Sequence, residues 1–439
     1  MYRSQWMKRL LVSLFAGVLC FVSLNASAEL KAGVARISIN PMEEDIYTQL
    51  GGYGDRAGAA ATGTHDTIYG KIMVMEFDGK KSAMITLDVC HQPRCLVEET
   101  LAKAKIDGLT YANTLMAASH SHAGLEGMSM ERRNQANNPH VGIFKEEVLE
   151  FVSNRLAQGL QDAVKNMQPV HAGAAVKAMP GDNRNRRNSK LPTDEDMTVV
   201  RFDLADGTPL AVWVNYTAHG TIMTANIMEV SGGWAGNMQR TVEAIMGGDV
   251  TCMYTNGAEG DVAPNNYQGG SRWEMAERYG RRIGIAAARL AQTIETKPVD
   301  QFNMVQHWVQ LPEPVGAPDF LKIAGDEYQV TQEMLNMMLK VLFPKETPLY
   351  ALQINDFGQM SFPGEPITAI GLAVKDQMRD AGVKFPVINC LSNDFVGYIL
   401  TEEEYHKSGY EVTASFYGPG LGTLIVDNAG ELAKKAFTN

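Results

Sequence analysis

Strand-like and helix-like segments alternate along most of the chain, and this alternation restricts the folds that the chain can adopt. Short apolar runs typical of strands occupy residues 71–77, 82–89, 114–118, 199–204, 209–216, 250–255 and 350–362. Helical periodicity is clearest in residues 145–164, 274–293 and 367–378. Elements interspersed in this way predict an α/β fold in which mixed β-sheets are layered with helices. We expect the active site at the C-terminal ends of strands, where loops carry polar clusters.

The first 28 residues have the pattern of a cleavable signal peptide. Three basic residues precede the apolar run 10–24, and Ala26-Ser27-Ala28 supplies the small residues of a cleavage site. This apolar run is shorter than the ~20 residues that a membrane-spanning helix needs. We therefore predict an exported protein, periplasmic or secreted. Residues 29–439 are expected to form a single domain with no integral membrane segment after cleavage.

The acidic charge balance bears on binding partners. The formal net charge of −11 becomes −14 once the three basic residues of the signal peptide are removed. A surface of this sign repels phosphate backbones and anionic headgroups, so nucleic acid and anionic membranes are not expected as standing partners. The sequence leaves the oligomeric state open.

The four cysteines in residues 29–439 are too few and too scattered for a disulfide framework. Cys90 and Cys95 lie close enough in sequence to bridge locally in an oxidising compartment. Cys252 and Cys390 each lie in an apolar strand-like run, where a buried free thiol is the expected state.

Two histidines directly follow the apolar run 114–118, in the order Ser119-His120-Ser121-His122. In an extended segment, residues two apart point to the same face, so both imidazoles are predicted to face one cavity. Such a pair suits a metal site or acid–base chemistry. A surface or structural role is equally compatible with this pattern taken alone.

Three further polar residues lie near apolar strand-like runs, and each has a structural explanation when taken singly. His219 fits a satisfied buried histidine, and Glu365 fits an acid that favours the start of a helix. Tyr398 fits a core tyrosine with a hydrogen-bonded hydroxyl. A chemical role for these residues depends on their occurring together.

The order of these segments resembles that of the neutral/alkaline ceramidase family. Its GTHTHS motif is similar to residues 118–122, its VHGT motif to 218–221 and its PGE motif to 363–365. Its GYVTT…EEY…YEGAS stretch is similar to residues 397–415. Further similarity lies in residues 51–53, 63–66, 185–186 and 256–265. The resemblance covers nearly all of the chain after the signal peptide and implies the catalytic domain without a C-terminal immunoglobulin-like domain.

The resemblance implies a zinc-dependent hydrolase that cleaves an N-acyl amide bond. The zinc ligands that it implies are His120, His219, Glu365 and Tyr398. Nitrogen and oxygen donors suit Zn²⁺, and a position left open for water is typical of catalytic zinc sites. The charge of the ion would lower the pKa of the tyrosine enough for its phenolate to bind.

The resemblance also implies catalytic roles for His122, Tyr410 and Arg186. His122 would carry a proton from the nucleophilic water to the leaving amine. Tyr410 and Arg186 would stabilise the tetrahedral oxyanion or hold polar groups of the substrate. Water activated by zinc would attack the amide carbonyl, giving a carboxylate and a free amine without a covalent acyl-enzyme.

Two features bear on the substrate. Ala263 stands where the family has a serine in its GDVSPN segment, which excludes a serine nucleophile there and leaves open whether ceramide is accepted. Residues 327–342 are predicted to form one Met-rich helix. Its methionines, Met334, Met337 and Met338, either line a pocket for an acyl chain or pack in the core.

Two other functions are compatible with the sequence. With the same metal and fold, the chain would be an esterase, a lactonase or an amidase for a small soluble acyl compound. Alternatively, it would be a non-enzymatic exported binding protein with a vestigial zinc site, although such a protein has no need of a proton shuttle at His122. The predicted substrate is a small-molecule or lipid-like N-acyl compound whose acyl length and amine half the sequence leaves undefined.

Overall fold

Strands and helices alternate through residues 29–437, the part of the chain that the computed structural model describes. The predicted signal peptide, residues 1–28, lies outside it. The strands are β1 Lys31–Ser38, β2 Gly63–Thr64, β3 Tyr69–Phe77, β4 Lys80–Leu87, β5 Thr114–Ala118, β6 Gln168–Ala178, β7 Asn183–Asn185, β8 Asp196–Leu204, β9 Pro209–Tyr216, β10 Glu229–Val230, β11 Thr251–Asn256, β12 Val262–Pro264, β13 Lys297–Pro298, β14 Phe302–Gln310, β15 Glu346–Ile354, β16 Phe357–Ser361, β17 Glu365–Pro366, β18 Phe385–Asn389 and β19 Tyr398–Ile399. The helices are α1 Arg94–Ala104, α2 Glu146–Lys165, α3 Gly233–Met246, α4 Arg272–Gln292, α5 Phe320–Ile323, α6 Gly325–Tyr328, α7 Gln332–Val341, α8 Thr368–Asp380, α9 Glu402–Tyr405, α10 Tyr410–Thr413 and α11 Leu421–Phe437. Within residues 29–437, no helix has both the length and the apolar character needed to cross a membrane.

A nine-stranded mixed sheet forms the centre of the fold. Its order is β11-β9-β8-β6-β1-β3-β4-β5, with β13 paired to β6. Each end of this sheet is a parallel pair, β9 with β11 and β4 with β5. Parallel strands need a crossover connection, which α3 and α1 supply. The predicted α/β class with a mixed sheet and layered helices is confirmed.

The two ends of the large sheet face each other across a buried core. Met73, Met84 and Leu115 from one half lie in the same apolar cluster as Trp213 and Met253 from the other half. Helices α1 and α2 cover the outer face of the first half, and α3 and α4 cover that of the second. The sheet is therefore layered between helices, and in the described residues its ends are not joined by hydrogen bonds into a barrel.

A four-stranded sheet, β14-β15-β16-β18, packs beside the large one. Tyr350, Leu352 and Val387 of this sheet join the central apolar cluster. Helices α8 and α11 pack against each other and against these strands. Strands β16 and β18 are parallel, so the loops that follow them leave from the same edge and reach the site described below.

Local sequence signals explain the two longest outer helices. Val152, Leu156 and Leu160 form part of the buried stripe of α2, whose first turn carries acidic residues that favour the helix dipole. Helix α4 begins with a capping box, in which the Ser271 hydroxyl and the Glu274 carboxylate each accept from the other residue's backbone amide.

Two predicted elements differ in detail from the structure. Residues 350–362 form the two strands β15 and β16, which are joined by a turn at Asn355 with a φ of 48°. The Met-rich helix predicted over residues 327–342 is interrupted at Gln329, whose φ of 47° is left-handed. Helix α7 then starts again behind Thr331, because its hydroxyl accepts from the amide of Met334 and caps the new helix.

The local disulfide between Cys90 and Cys95 is not formed, since both are free thiols. The Cys95 thiol donates to a backbone carbonyl 3.1 Å away, and Cys90 Sγ lies 3.8 Å from Nδ1 of His120. Cys252 and Cys390 are buried free thiols, as predicted.

Candidate active site

All of the predicted site residues line one cavity of about 450 Å³. They come from separate segments of the chain, and the histidines, the glutamate and Tyr398 are buried, whereas Tyr410 is 36% exposed. The residues are His120, His122, Arg186, His219, Glu365, Tyr398 and Tyr410. The fold therefore brings together every residue that the sequence predicted as a metal ligand or a catalytic group.

His120 and His122 lie just beyond the C-terminal end of β5. Two backbone amides of this segment donate to carbonyls at and just after the end of β4, at 2.8 and 3.1 Å, so the segment continues alongside the neighbouring strand. His120 has a φ of 64°, so the backbone turns there instead of remaining extended. Both imidazoles face one cavity, as predicted, but this turn and not strand alternation brings them there.

Two glycines leave the space that these histidines occupy. A Cβ atom at Gly220 would lie 1.9 Å from the backbone carbonyl oxygen of His120. A Cβ atom at Gly52, which has a φ of 91°, would lie 2.3 Å from Nδ1 of His122. Because both contacts are far below van der Waals separation, only glycine fits at either position.

Backbone carbonyls fix the protonation of two of the rings. Nδ1 of His120 lies 2.7 Å from the carbonyl oxygen of Cys90, and Nδ1 of His219 lies 3.2 Å from that of Glu259. A carbonyl only accepts, so each Nδ1 carries a proton, and burial lowers the pKa of both rings and keeps them neutral. Each Nε2 then presents a lone pair, and the two Nε2 atoms are 2.9 Å apart. Two lone pairs at this distance repel unless a cation binds both.

Glu365 and Tyr398 lie opposite each other in the parallel ladder of β17 and β19. Oε2 of Glu365 lies 3.5 Å from Nε2 of His120 and 3.7 Å from Nε2 of His219, and it has no hydrogen-bond partner among the described residues. The Tyr398 hydroxyl lies 3.5 Å from Nε2 of His219 and accepts from Nη2 of Arg186 at 2.9 Å. Burial, followed by the charge of Glu365, raises the pKa of Tyr398 well above its ordinary value.

These donors fit a divalent cation. One ligand atom from each of His120, His219, Glu259 and Glu365 lies within 4.8 Å of every other. Imidazole nitrogens and carboxylate oxygens are ligands that zinc accepts. A bound cation would satisfy both the facing lone pairs and the unpaired Glu365 oxygen. This group of residues is a candidate metal centre.

Glu259 is the member of this group that the sequence reasoning missed. It follows the end of β11 by three residues, just as His219 follows the end of β9. Burial and the charge of Glu365 raise its pKa well above the ordinary value. The sequence does carry a signal for Glu259, which is a carboxylate among small residues just after an apolar strand. The same signal indicates Glu365.

His122 faces the same centre, but its ring also contacts Tyr53. Its Nε2 lies 3.3 Å from Nε2 of His120, and the centroid of its ring lies 4.9 Å from that of Tyr53 in an edge contact. Burial, helped by the nearby positive charges of Arg56 and Arg186, lowers the pKa of His122 well below its ordinary value. The ring is therefore neutral.

Arg186 and Tyr410 lie at the outer side of the centre. Nε of Arg186 donates to Glu411 at 2.9 Å, while its Nη2 donates to a backbone carbonyl and to the Tyr398 hydroxyl, both at 2.9 Å. The hydroxyls of Tyr410 and Tyr328 are 2.8 Å apart. Arg186 thus holds Tyr398 in place, and Tyr328 holds the hydroxyl of Tyr410.

The remaining walls of the cavity are largely apolar. They include Phe320, Met338, Leu342, Phe343 and Phe416. Of the three methionines considered for an acyl pocket, Met338 lines the cavity. Met334 packs at the edge of the neighbouring core, and Met337 is 42% exposed. The cavity therefore combines a polar centre with apolar walls of the kind that bind an acyl chain.

Comparison with known proteins bears on the fold. No protein-family profile matches the sequence. A solved structure described as a ceramidase complexed with C2 superposes with a TM-score of 0.76 and 18% identity, covering 93% of this chain and 75% of that one. The neutral ceramidase from Pseudomonas aeruginosa gives a TM-score of 0.75 and 19% identity, over 94% of this chain and 76% of that one. The chain has the fold of the neutral ceramidases.

A curated relative is also similar to part of the chain. Neutral ceramidase B of Dictyostelium discoideum is 24% identical over 176 residues, which cover 36% of this chain and 24% of that protein. The matched part is thus about a quarter of the length of the relative.

Within the ceramidase fold, Ala263 lies away from the cavity. It is buried in β12, where it pairs with Arg184 of β7. Among the described residues that line the cavity, Ala263 does not occur. The alanine at this position therefore leaves the cavity wall unchanged.

Proposed function

We propose that the chain is a zinc-dependent hydrolase that cleaves the amide bond of an N-acyl amine, ceramide-like or otherwise lipid-like. The observation that carries this proposal is the pair of Nε2 lone pairs of His120 and His219, 2.9 Å apart, with an unpaired Glu365 oxygen beside them. Buried polar groups are normally hydrogen-bonded, so this arrangement points to an ion as their partner. The ceramidase fold and the apolar walls of the cavity support an N-acyl substrate.

In this proposal the zinc ligands are His120, His219, Glu365 and Tyr398. When bound, zinc would supply a Lewis acid that polarises the amide carbonyl and favours ionisation of water near neutral pH. Backbone carbonyls orient both imidazoles, and such outer partners fix the tautomer that binds metal. The guanidinium of Arg186, 2.9 Å from the Tyr398 hydroxyl, favours its phenolate form.

His122 moves the proton. Its neutral Nε2 lies 3.3 Å from Nε2 of His120, so it is within reach of a water molecule at the same centre. It accepts a proton from this water as the oxygen attacks the carbonyl carbon. It then gives that proton to the amine nitrogen as the C–N bond breaks, which leaves an amine and a carboxylic acid that loses its remaining proton to solvent.

Tyr410 and the apolar walls orient the substrate. The Tyr410 hydroxyl is positioned at the cavity to donate to the oxygen of the tetrahedral intermediate. Phe320, Met338 and Phe343 offer apolar surface to the acyl chain and exclude water from it. Arg186 contributes positive charge to the centre while it holds Tyr398.

Export of the protein and its organisation as a single domain over residues 29–439 stay predictions. N-terminal sequencing of the exported protein tests the first, and a mature chain beginning at Glu29 is the expected result. A single cooperative unfolding transition of that mature chain is expected for one domain.

The proposed activity is tested with purified wild-type protein and His122→Gln. We expect about one zinc per chain in both proteins, and chelator-sensitive release of amine from N-acyl amines, including a short-chain fluorescent ceramide, by the wild type alone. Esters and lactones belong in the same panel. Zinc with turnover of esters or lactones only would replace the amidase by an esterase, and zinc without any turnover would favour a binding protein. Absence of bound metal from the wild type would overturn the proposal.

A further inference from the structure

Glu259 has an unusual position for a carboxylate. It is fully buried, and neither of its side-chain oxygens has a hydrogen-bond partner in residues 29–437. Its backbone carbonyl accepts from Nδ1 of His219, so the residue is tied to one of the imidazoles of the metal centre. A buried carboxylate normally has a positive or hydrogen-bonding partner.

No positively charged group of the described residues pairs with this carboxylate, and the nearby thiol of Cys390 is only a weak donor. The buried guanidinium nearest the centre is that of Arg186, and it is committed to Glu411, to Tyr398 and to a backbone carbonyl. A second carboxylate, Glu365, lies close by with an unpaired oxygen of its own. Two unpaired carboxylates side by side in the interior call for a divalent cation.

The distances allow one cation to meet both carboxylates. A ligand atom of Glu259 lies within 4.8 Å of a ligand atom of each of His120, His219 and Glu365. Zinc binds nitrogen and oxygen at about 2.0–2.2 Å, so ligand atoms on one ion are separated by up to about 4.4 Å. The upper limit of 4.8 Å between the ligand atoms is close to this separation.

We propose that Glu259 is a direct ligand of the metal ion, in addition to the set implied by the resemblance. The inference rests on the proposed metal site and deepens it. The centre then offers two imidazoles and two carboxylates, with the Tyr398 hydroxyl beside them and shared with Arg186. A second carboxylate lowers the net positive charge of the site. Because Mn²⁺ favours oxygen ligands, a site with two carboxylates binds Mn²⁺ better than a site with one.

The test is metal binding by Glu259→Gln, measured by competition with a chromophoric chelator for Zn²⁺. Loss of a direct ligand should weaken zinc binding by about 100-fold or more, since loss of an outer-shell partner alone costs about 10–100-fold. Glu313→Gln, the same change at a carboxylate whose side chain is 86% exposed, is the matched control and should bind zinc like the wild type. A weakening of less than about 10-fold would overturn the inference, and so would a loss of about 10–100-fold, which is the range of an outer-shell partner.

Two further measurements keep the result independent of folding defects. The metal-free Glu259→Gln protein should melt at or above the temperature of the metal-free wild type, because an amide does not have to take up a proton in order to be buried. A crystal structure of zinc-loaded wild-type protein should place a Glu259 oxygen about 2.0–2.2 Å from the ion, and a separation beyond about 3 Å would overturn the inference. Failure of the wild type to bind zinc at all would instead contradict the proposed function.

Discussion

Glu126 offers a direct test of how the cavity sets the pH dependence of stability. Its side chain is 10% exposed and accepts from the amides of Gly52 and Met128 at 3.3 and 3.2 Å. The neighbouring imidazole of His91, 3.6 Å away, is neutral because burial lowers its pKa to about 3. Burial dominates and raises the pKa of Glu126 from 4.5 to about 7.

The sign of the effect follows from linkage. The unfolded chain loses this proton near pH 4.5, whereas the folded protein keeps it until about pH 7. Stability from the protonated carboxyl is therefore present at low pH and is lost as the pH rises through this window. A rise of the pKa from 4.5 to about 7 corresponds to about 3 kcal/mol at pH 8. Glu126→Gln resembles the protonated form at every pH and should escape the loss.

Urea unfolding of metal-free wild type and Glu126→Gln at pH 5, 6, 7 and 8 measures the difference. The variant should exceed the wild type by less than about 1 kcal/mol at pH 5 and by about 3 kcal/mol at pH 8. Glu313→Gln, whose side chain is 86% exposed, is the control and should show no such trend. A difference between Glu126→Gln and wild type that does not change with pH would refute the reasoning.

Three other changes have defined outcomes. Gly220→Ala should reduce stability by about 3 kcal/mol or more in urea unfolding, because its Cβ would meet the carbonyl oxygen of His120 at 1.9 Å; an unchanged midpoint would contradict the close contact. Lys375→Met should cost about 3–5 kcal/mol in the same assay, since it leaves the buried Asp194 without its positively charged partner, which lies 2.6 Å away in the wild type; a loss below about 1 kcal/mol would show that the pair is not needed. Met338→Trp should fill part of the cavity and lower kcat/KM for long N-acyl chains by about tenfold while sparing two-carbon acyl groups; equal effects on both chain lengths would place the acyl chain elsewhere.

The periodic elements were predictable from the sequence because their apolar patterns coincide with burial. The predicted helix 145–164 and strand 114–118 agree with α2 and β5 to within a residue or two. The break in the predicted helix 327–342 was not predictable in the same way. It depends on the left-handed backbone of Gln329 and on the helix cap at Thr331, and neither changes the spacing of the apolar residues.

The sequence predicted which residues form the site better than it predicted how they are arranged. Its residues follow strands in motif-like order, so their convergence in one cavity could be expected from the resemblance. The left-handed turn at His120 could not, because it depends on the close approach of Gly220 from a distant segment. Glu259 was missed because a carboxylate after an apolar strand is a weak signal when taken singly, and it gains weight only once the unpaired oxygens of Glu259 and Glu365 are seen together.

The assembly of the centre from distant loops has a consequence for maturation. His120 and His219 are 99 residues apart, and His219 and Tyr398 are 179 apart. Contacts of such long sequence separation form slowly, since the intervening chain must first be brought together. We expect the ion to enter only when folding is nearly complete. The supply of metal in the compartment where folding finishes, and not affinity alone, then decides which ion the mature protein carries.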